Sequence, residues 1–90
     1  MKDNILIINP RDNVAVALRN LRLGEQTAAG GMESFPATED IPASHKIALR
    51  DIAAGEEIIK YGETIGVSTA DIKKGAWAHT HNIESERWQK

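Results

Sequence analysis

Apolar positions along this chain fall in short runs rather than long stripes. Residues 5–8 are four consecutive aliphatics closed by Asn9-Pro10, which reads as a buried strand stopped where proline removes a hydrogen-bond donor. The next segment changes period. Val14, Ala17, Leu18 and Leu21 recur at helical spacing, behind Asp12 as N-cap and ahead of Gly24 at the position of a left-handed C-terminal residue, so one short helix is expected. From Glu25 onward the signals are those of β structure. Gly30-Gly31 reads as a hairpin tip, Pro36 and Pro42 punctuate a polar tract, and residues 46–52, 58–61, 64–69 and 77–83 read as short strands separated by glycines. The pattern predicts a compact, mainly β domain over residues 5–83. Residues 84–90 lose periodicity and read as a tail or linker, with Trp88 a candidate for docking on a partner.

One turn signal recurs. Asn20-Leu-Arg-Leu-Gly24, Asp51-Ile-Ala-Ala-Gly55 and Asp71-Ile-Lys-Lys-Gly75 share a short polar residue, an aliphatic anchor and a closing glycine. The polar side chain can accept backbone N–H bonds a few residues on, and glycine supplies positive φ before the next strand. The spacings, 31 and then 20 residues, are unequal, so the sequence reads as local convergence on good turn chemistry rather than as a structural repeat. The intervening tract with Glu33, Glu39 and Asp40 reads as a solvated acidic loop.

Composition narrows the function classes. Ninety residues make one thin domain, whereas small-molecule pockets are on the order of 300–1,000 Å³, so any chemistry is expected to need a second copy or another chain. Eleven Lys and Arg against thirteen Asp and Glu give no basic field for phosphates, and nucleic acid is not an expected partner. The absence of cysteine excludes a thiolate nucleophile and a disulfide framework. No apolar run reaches the length of a signal core or membrane span, and the expected location is cytoplasmic, away from membranes. Walker, dinucleotide-binding and serine-hydrolase motifs are absent, and Gly62-Glu-Thr-Ile-Gly66 lies within β segments, unlike a phosphate cradle.

The candidate chemistry centres on His79-Thr80-His81-Asn82. On a strand, His79 and His81 would share a face with Trp77. Two imidazoles suit a divalent metal or a substrate, but a metal needs further ligands, and packed or solvent-exposed histidines remain the plainer alternative. His45, at a strand entrance, reads either as a surface residue or as a contact. Lys60 and Tyr61, beside Gly62, offer a cation and a phenol to an anionic ligand, although Tyr61 also suits a half-buried core position. Asp12 is accounted for by helix capping.

Taken in order, Asp12-Asn-Val-Ala-Val-Ala-Leu18, His45-Lys-Ile-Ala-Leu49, Asp51-Ile-Ala-Ala-Gly55, Ile59-Lys-Tyr-Gly62, Ile65-Gly66 and His79-Thr-His-Asn82 resemble the N-terminal SAF domain of the altronate and galactarate dehydratase family. The same module is similar to the small subunit of sulfolactate sulfo-lyase. The resemblance implies a β-clip fold of bent hairpins, shared with antifreeze-like domains. It also implies dehydration of a sugar acid with a divalent metal, Fe2+ or Mn2+, and a larger catalytic domain or subunit that carries most of the machinery. The 90 residues are then expected to be a free-standing small subunit or the front part of a longer enzyme. His79 and His81 carry over as catalytic and metal-site histidines, with His45, Lys60 and Tyr61 as contacts to the substrate. A competing function is a non-catalytic SAF module that binds carbohydrate or an assembly partner. Exposed β edges leave pairing with a second copy open.

Overall fold

The segment Val14-Ala-Val-Ala17, expected to be helical, is a strand. In the computed structural model, which describes residues 2–85, it forms β2 (Val14–Ala17), hydrogen-bonded on one side to β1 (Ile5–Leu6) and on the other to β3 (Lys46–Ala48). The β-branched Val14 and Val16 favour extended backbone. A strand flanked on both sides and buried on both faces needs an unbroken apolar run, and over four residues such a run imitates helical spacing. Leu18, which completed the supposed helical stripe, is 52% exposed, and Leu21 is buried further on in a bridge to Ile41. No helix occurs among the described residues, and the mainly β architecture holds.

β6 (Trp77–Ala78) completes an antiparallel sheet in the order β1-β2-β3-β6. β4 (Glu57–Lys60), β5 (Glu63–Ser68) and β7 (Ile83–Ser85) form a second antiparallel sheet in the order β4-β5-β7. Glu84 and Ser85 therefore belong to β7 rather than to a tail, and Trp88 lies outside the described residues. Alternation along the first sheet separates two apolar clusters. Ile5, Ala15, Ala17 and Ile47 pack with Leu21, Phe35 and Ile41 on one face. Val14, Ala48 and Ala78 pack with Ile52, Ile58 and Ile72 on the other.

The recurring turn is more than local convergence. A fourth copy, Asp40-Ile-Pro-Ala-Ser44, hides in the tract expected to be a solvated acidic loop, with Ser44 at φ 72° where the other three copies have glycine at φ 87–90°. The four copies work as two facing pairs. Asn20 Oδ1 accepts the Ala43 N–H at 2.8 Å while Asp40 Oδ1 accepts the Leu23 N–H at 2.9 Å, and Asp51 and Asp71 exchange the same bonds with Lys74 and Ala54. Counting Asp40, each pair is offset from its counterpart by 31 residues: 20 to 51 and 40 to 71. The match extends beyond the turns. The Arg19–Glu25 ion pair recurs as Arg50–Glu56, the Leu21–Ile41 bridge as Ile52–Ile72, and the Gly24 N–H bond to Ala37 as that of Gly55 to Ser68. The repeat-related segments 26–28 and 57–59 are each bracketed by an asparagine amide, that of Asn4 and that of Asn13, although these two asparagines lie only nine residues apart. The fold is thus a 31-residue structural repeat whose side-chain identities have diverged while its polar contacts persist.

Candidate functional site

β6 is only two residues long and ends at Ala78, because His79 to Asn82 is a tight turn rather than strand. The Asn82 N–H closes the turn on the His79 carbonyl at 3.0 Å. The Asn82 side chain locks it from both ends: Oδ1 accepts the His79 N–H at 2.8 Å and Nδ2 donates to the Trp77 carbonyl at 2.9 Å. The chain then enters β7 in the other sheet, so the turn is the shortest of the three crossings between the two sheets.

This geometry gathers all three histidines around Trp77. The His79 ring stacks on the indole with centroids 5.6 Å apart and planes 11° from parallel, and His81 lies tilted with its centroid 5.0 Å from the same ring system. His45, just before β3, contributes the third imidazole, 4.4 Å from His79 and 5.5 Å from Trp77. The Trp77 Nε1–H donates to His45 Nδ1 at 3.0 Å. An imidazole accepting at Nδ1 carries its proton on Nε2 in the neutral form, so the indole selects the tautomer of His45. Glu39, expected to be merely solvated, accepts the Trp77 N–H at 3.0 Å and anchors the start of the strand.

His79 feels its cationic neighbours. Partial desolvation lowers the His79 pKa from its ordinary 6.5, and the neighbouring His45, Lys46 and His81 push in the same direction. The Lys46 ammonium is half-buried, and that burial, followed by the charge of Lys60, holds its pKa below the ordinary 10.5. Lys46 was not singled out in the sequence, since a lysine at a strand start reads as solvent-facing. Its signal lay in its place between His45 and an apolar strand.

Lys60 and Tyr61 sit apart from the imidazoles, on the β4–β5 hairpin. Tyr61 (φ 60°) and Gly62 (φ 72°) form a two-residue turn with both residues left-handed, and Lys60 Nζ lies 5.0 Å over the Tyr61 ring. Asp12 is the reason the turn holds. Instead of capping a helix, its buried carboxylate accepts the N–H groups of Asn9, Tyr61 and Gly62 at 2.8–3.1 Å. The charge of Lys60 acts on Lys46, and Tyr61 is 59% exposed and makes no contact with the imidazoles.

Among the described residues, no three of His, Cys, Asp and Glu are grouped so as to hold a metal ion. The imidazoles pack ring against ring and the His45 Nδ1 lone pair is engaged by Trp77, a donor set that does not fit a self-contained divalent metal site. A shallow open cleft lined by Asp3, Ala28, Met32 and Ser34 contains none of the candidate residues. No helix is long and apolar enough to cross a membrane among the described residues.

Comparison with known proteins agrees with this architecture. Residues 3–86 match the family model described as the altronate/galactarate dehydratase SAF domain. The chain is 41% identical over 78 residues to the altronate dehydratase of Bacillus subtilis and 43% identical over 78 residues to that of Escherichia coli, in each case covering 87% of this chain and 16% of the relative. It is also 46% identical over 52 residues to the (2R)-sulfolactate sulfo-lyase subunit alpha of Paracoccus pantotrophus, covering 58% of this chain and 78% of that subunit. The chain thus spans about a sixth of the length of the dehydratases it matches and most of the sulfo-lyase subunit. It belongs to the altronate/galactarate dehydratase SAF-domain family.

Proposed function

We propose that this chain is the small SAF component of a lyase acting on a hydroxylated sugar acid of the altronate or galactarate type, and that it works against a larger catalytic domain or subunit. The observation that carries the reading is the imidazole group around Trp77: three histidines on one surface, one with a selected tautomer and one held towards its neutral form. In β-elimination, a base removes the proton α to the carboxylate, the C–H electrons form the new C=C bond, and the β-hydroxyl leaves with a proton as water. Neutral His79 is suited to accept or return a proton near neutral pH. His45, with its proton on Nε2, donates a hydrogen bond to a hydroxyl or carboxylate oxygen. His81, exposed on the turn, faces the surface that a larger partner would cover. In the sulfo-lyase version of the same elimination, sulfite leaves in place of water.

The divalent Fe2+ or Mn2+ ion implied by the resemblance would belong, in this reading, to the larger region, which would supply its ligands and its Lewis-acid chemistry. The test is reconstitution. Mixed with the large chain of its own enzyme, this protein is expected to restore dehydration of a six-carbon aldonate or aldarate, and His79→Ala or His81→Ala to remove most of that rate. A large chain that is fully active alone, or two silent mutants, would refute the catalytic reading and leave a non-catalytic binding or assembly module.

A further inference from the structure

Trp77 presents its backbone to the outer edge of the four-stranded sheet. The Ala48 N–H donates to the Ala76 carbonyl at 3.0 Å, and with the register Lys46↔Ala78 this makes Ile47↔Trp77 the non-hydrogen-bonded pair, so the Trp77 N–H and C=O face away from β3. An edge strand presents such groups unpaired. Here a side chain takes each one: Asn82 Nδ2 donates to the carbonyl at 2.9 Å, and Glu39 Oε2 accepts the N–H at 3.0 Å. Asn82 belongs to the histidine turn itself. Glu39 reaches the same residue from a loop 38 residues earlier in the chain.

The fold does not demand the Glu39 bond. Along the 31-residue repeat the turn, bridge and ion-pair contacts recur, but the position equivalent to Glu39 is Ala70, which has no carboxylate. Nor does the loop depend on Glu39 to stay in place. The Thr38 N–H already donates to the Gly75 carbonyl at 2.9 Å, and the backbones come so near that an added Cβ at Gly75 would collide with the Pro36 carbonyl oxygen. The contact is peculiar to the place where the imidazoles gather. β6 has only two residues, and the first of them holds His45 through the indole N–H and His79 on the ring face, so a shift of the Trp77 backbone moves both imidazoles.

We infer that Glu39 is a positioning residue for the histidine group: its carboxylate, by holding the Trp77 N–H, fixes the indole that orients His45 and His79. The carboxylate is exposed to water and acts as a hydrogen-bond acceptor rather than as a charge, so an amide of the same length can replace it.

The inference rests on the proposed lyase reading for its bearing on catalysis, and its first test is independent of that reading. In the full chain, the ring 15N shifts of His45 report its tautomer, and the ring proton shifts of His79 report its stack on the indole. Glu39→Ala is expected to move the His45 nitrogens towards the averaged values of mixed tautomers and to reduce the upfield displacement of the His79 protons. Glu39→Gln should restore both signals. Glu25→Ala, which removes a backbone acceptor and an ion pair elsewhere in the repeat, should lower the melting temperature and leave the imidazole signals in place. Unchanged imidazole signals in Glu39→Ala would overturn the inference, as would shifts of the same size in Glu25→Ala, the mark of general loosening. Glu39→Gln behaving like Glu39→Ala would overturn it too, by making the charge decisive instead of the hydrogen bond. In a reconstituted lyase, Glu39→Ala should lower kcat about fivefold at nearly constant KM, because the reacting groups are retained but misplaced. Altered imidazole signals with no activity on reconstitution leave the positioning role standing and remove the lyase reading. Activity that depends on His79, with neither rate nor imidazole signals changed in Glu39→Ala, does the reverse.

Discussion

The Trp77 indole N–H donates to His45 Nδ1 at 3.0 Å while its ring carries His79 in a near-parallel stack. One side chain thus sets both the tautomer of one imidazole and the position of another. Trp77→Phe keeps an aromatic platform and removes the donor. The expected result is loss of the Nε2–H preference of His45, read from its ring 15N shifts, and a fall of about fivefold in the reconstituted rate, the worth of one neutral hydrogen bond of ~1 kcal/mol.

His79 gives a pH dependence whose sign is fixed by its surroundings. Its folded-state pKa lies below 6.5, so between that value and 6.5 the folded chain binds fewer protons than the unfolded chain. Its contribution to stability is therefore complete above about pH 6.5 and is lost as pH falls towards the folded pKa. NMR titration should place His79 below the ordinary histidine value. Because desolvation is the largest cause and the Lys46 charge a further one, Lys46→Met should move it part of the way back up.

Asp12 is predicted to matter for the fold out of proportion to its position near the chain start. Asp12→Ala leaves three N–H groups at a part-buried turn without an acceptor and should cost about 2–3 kcal/mol in chemical denaturation. Gly62→Ala should destabilise as well, since Gly62 has φ 72° and an added Cβ would come within 2.8 Å of the Asn9 side chain.

The repeat makes an asymmetric prediction. Ser44 holds the left-handed conformation that glycine holds at the equivalent position 75, and the space there differs. Ser44→Gly should be neutral or stabilising by up to ~1 kcal/mol, strain relief offsetting added unfolded-state freedom. Gly75→Ser should destabilise by more than that, because a Cβ at Gly75 would lie 2.4 Å from the Pro36 carbonyl oxygen. Paired melting curves of the two variants check the difference.

Much of the architecture was legible because strand and turn signals are local. The glycine-punctuated runs 46–52, 58–61 and 64–69 cover all or most of β3, β4 and β5, the run 77–83 split into β6, a turn and the first residue of β7, and Gly30-Gly31 does sit at the tip of an excursion between Gln26 and Pro36. The helix was misread because four apolar residues buried on both faces carry no period of their own, and only pairing with β1 and β3 decides their state. The repeat escaped because its fourth turn has serine for glycine and a proline inside it, so its spacing looked irregular. The expected sharing of a face with Trp77 by His79 and His81 rested on strand alternation. They do meet Trp77, but through a turn fixed by Asn82 rather than by strand alternation. Lys46 and the donor role of Trp77 depend on contacts across strands 32 residues apart, which spacing along the chain does not encode.

The turn from His79 to Asn82 is a short seam at which the chain leaves one sheet and joins the other. Anything gripped there stitches the two sheets together. Were a ligand to bind at the histidines, the expected outcome is slower amide exchange in β7 and β5 as much as in β3, because both sheets would be held at once.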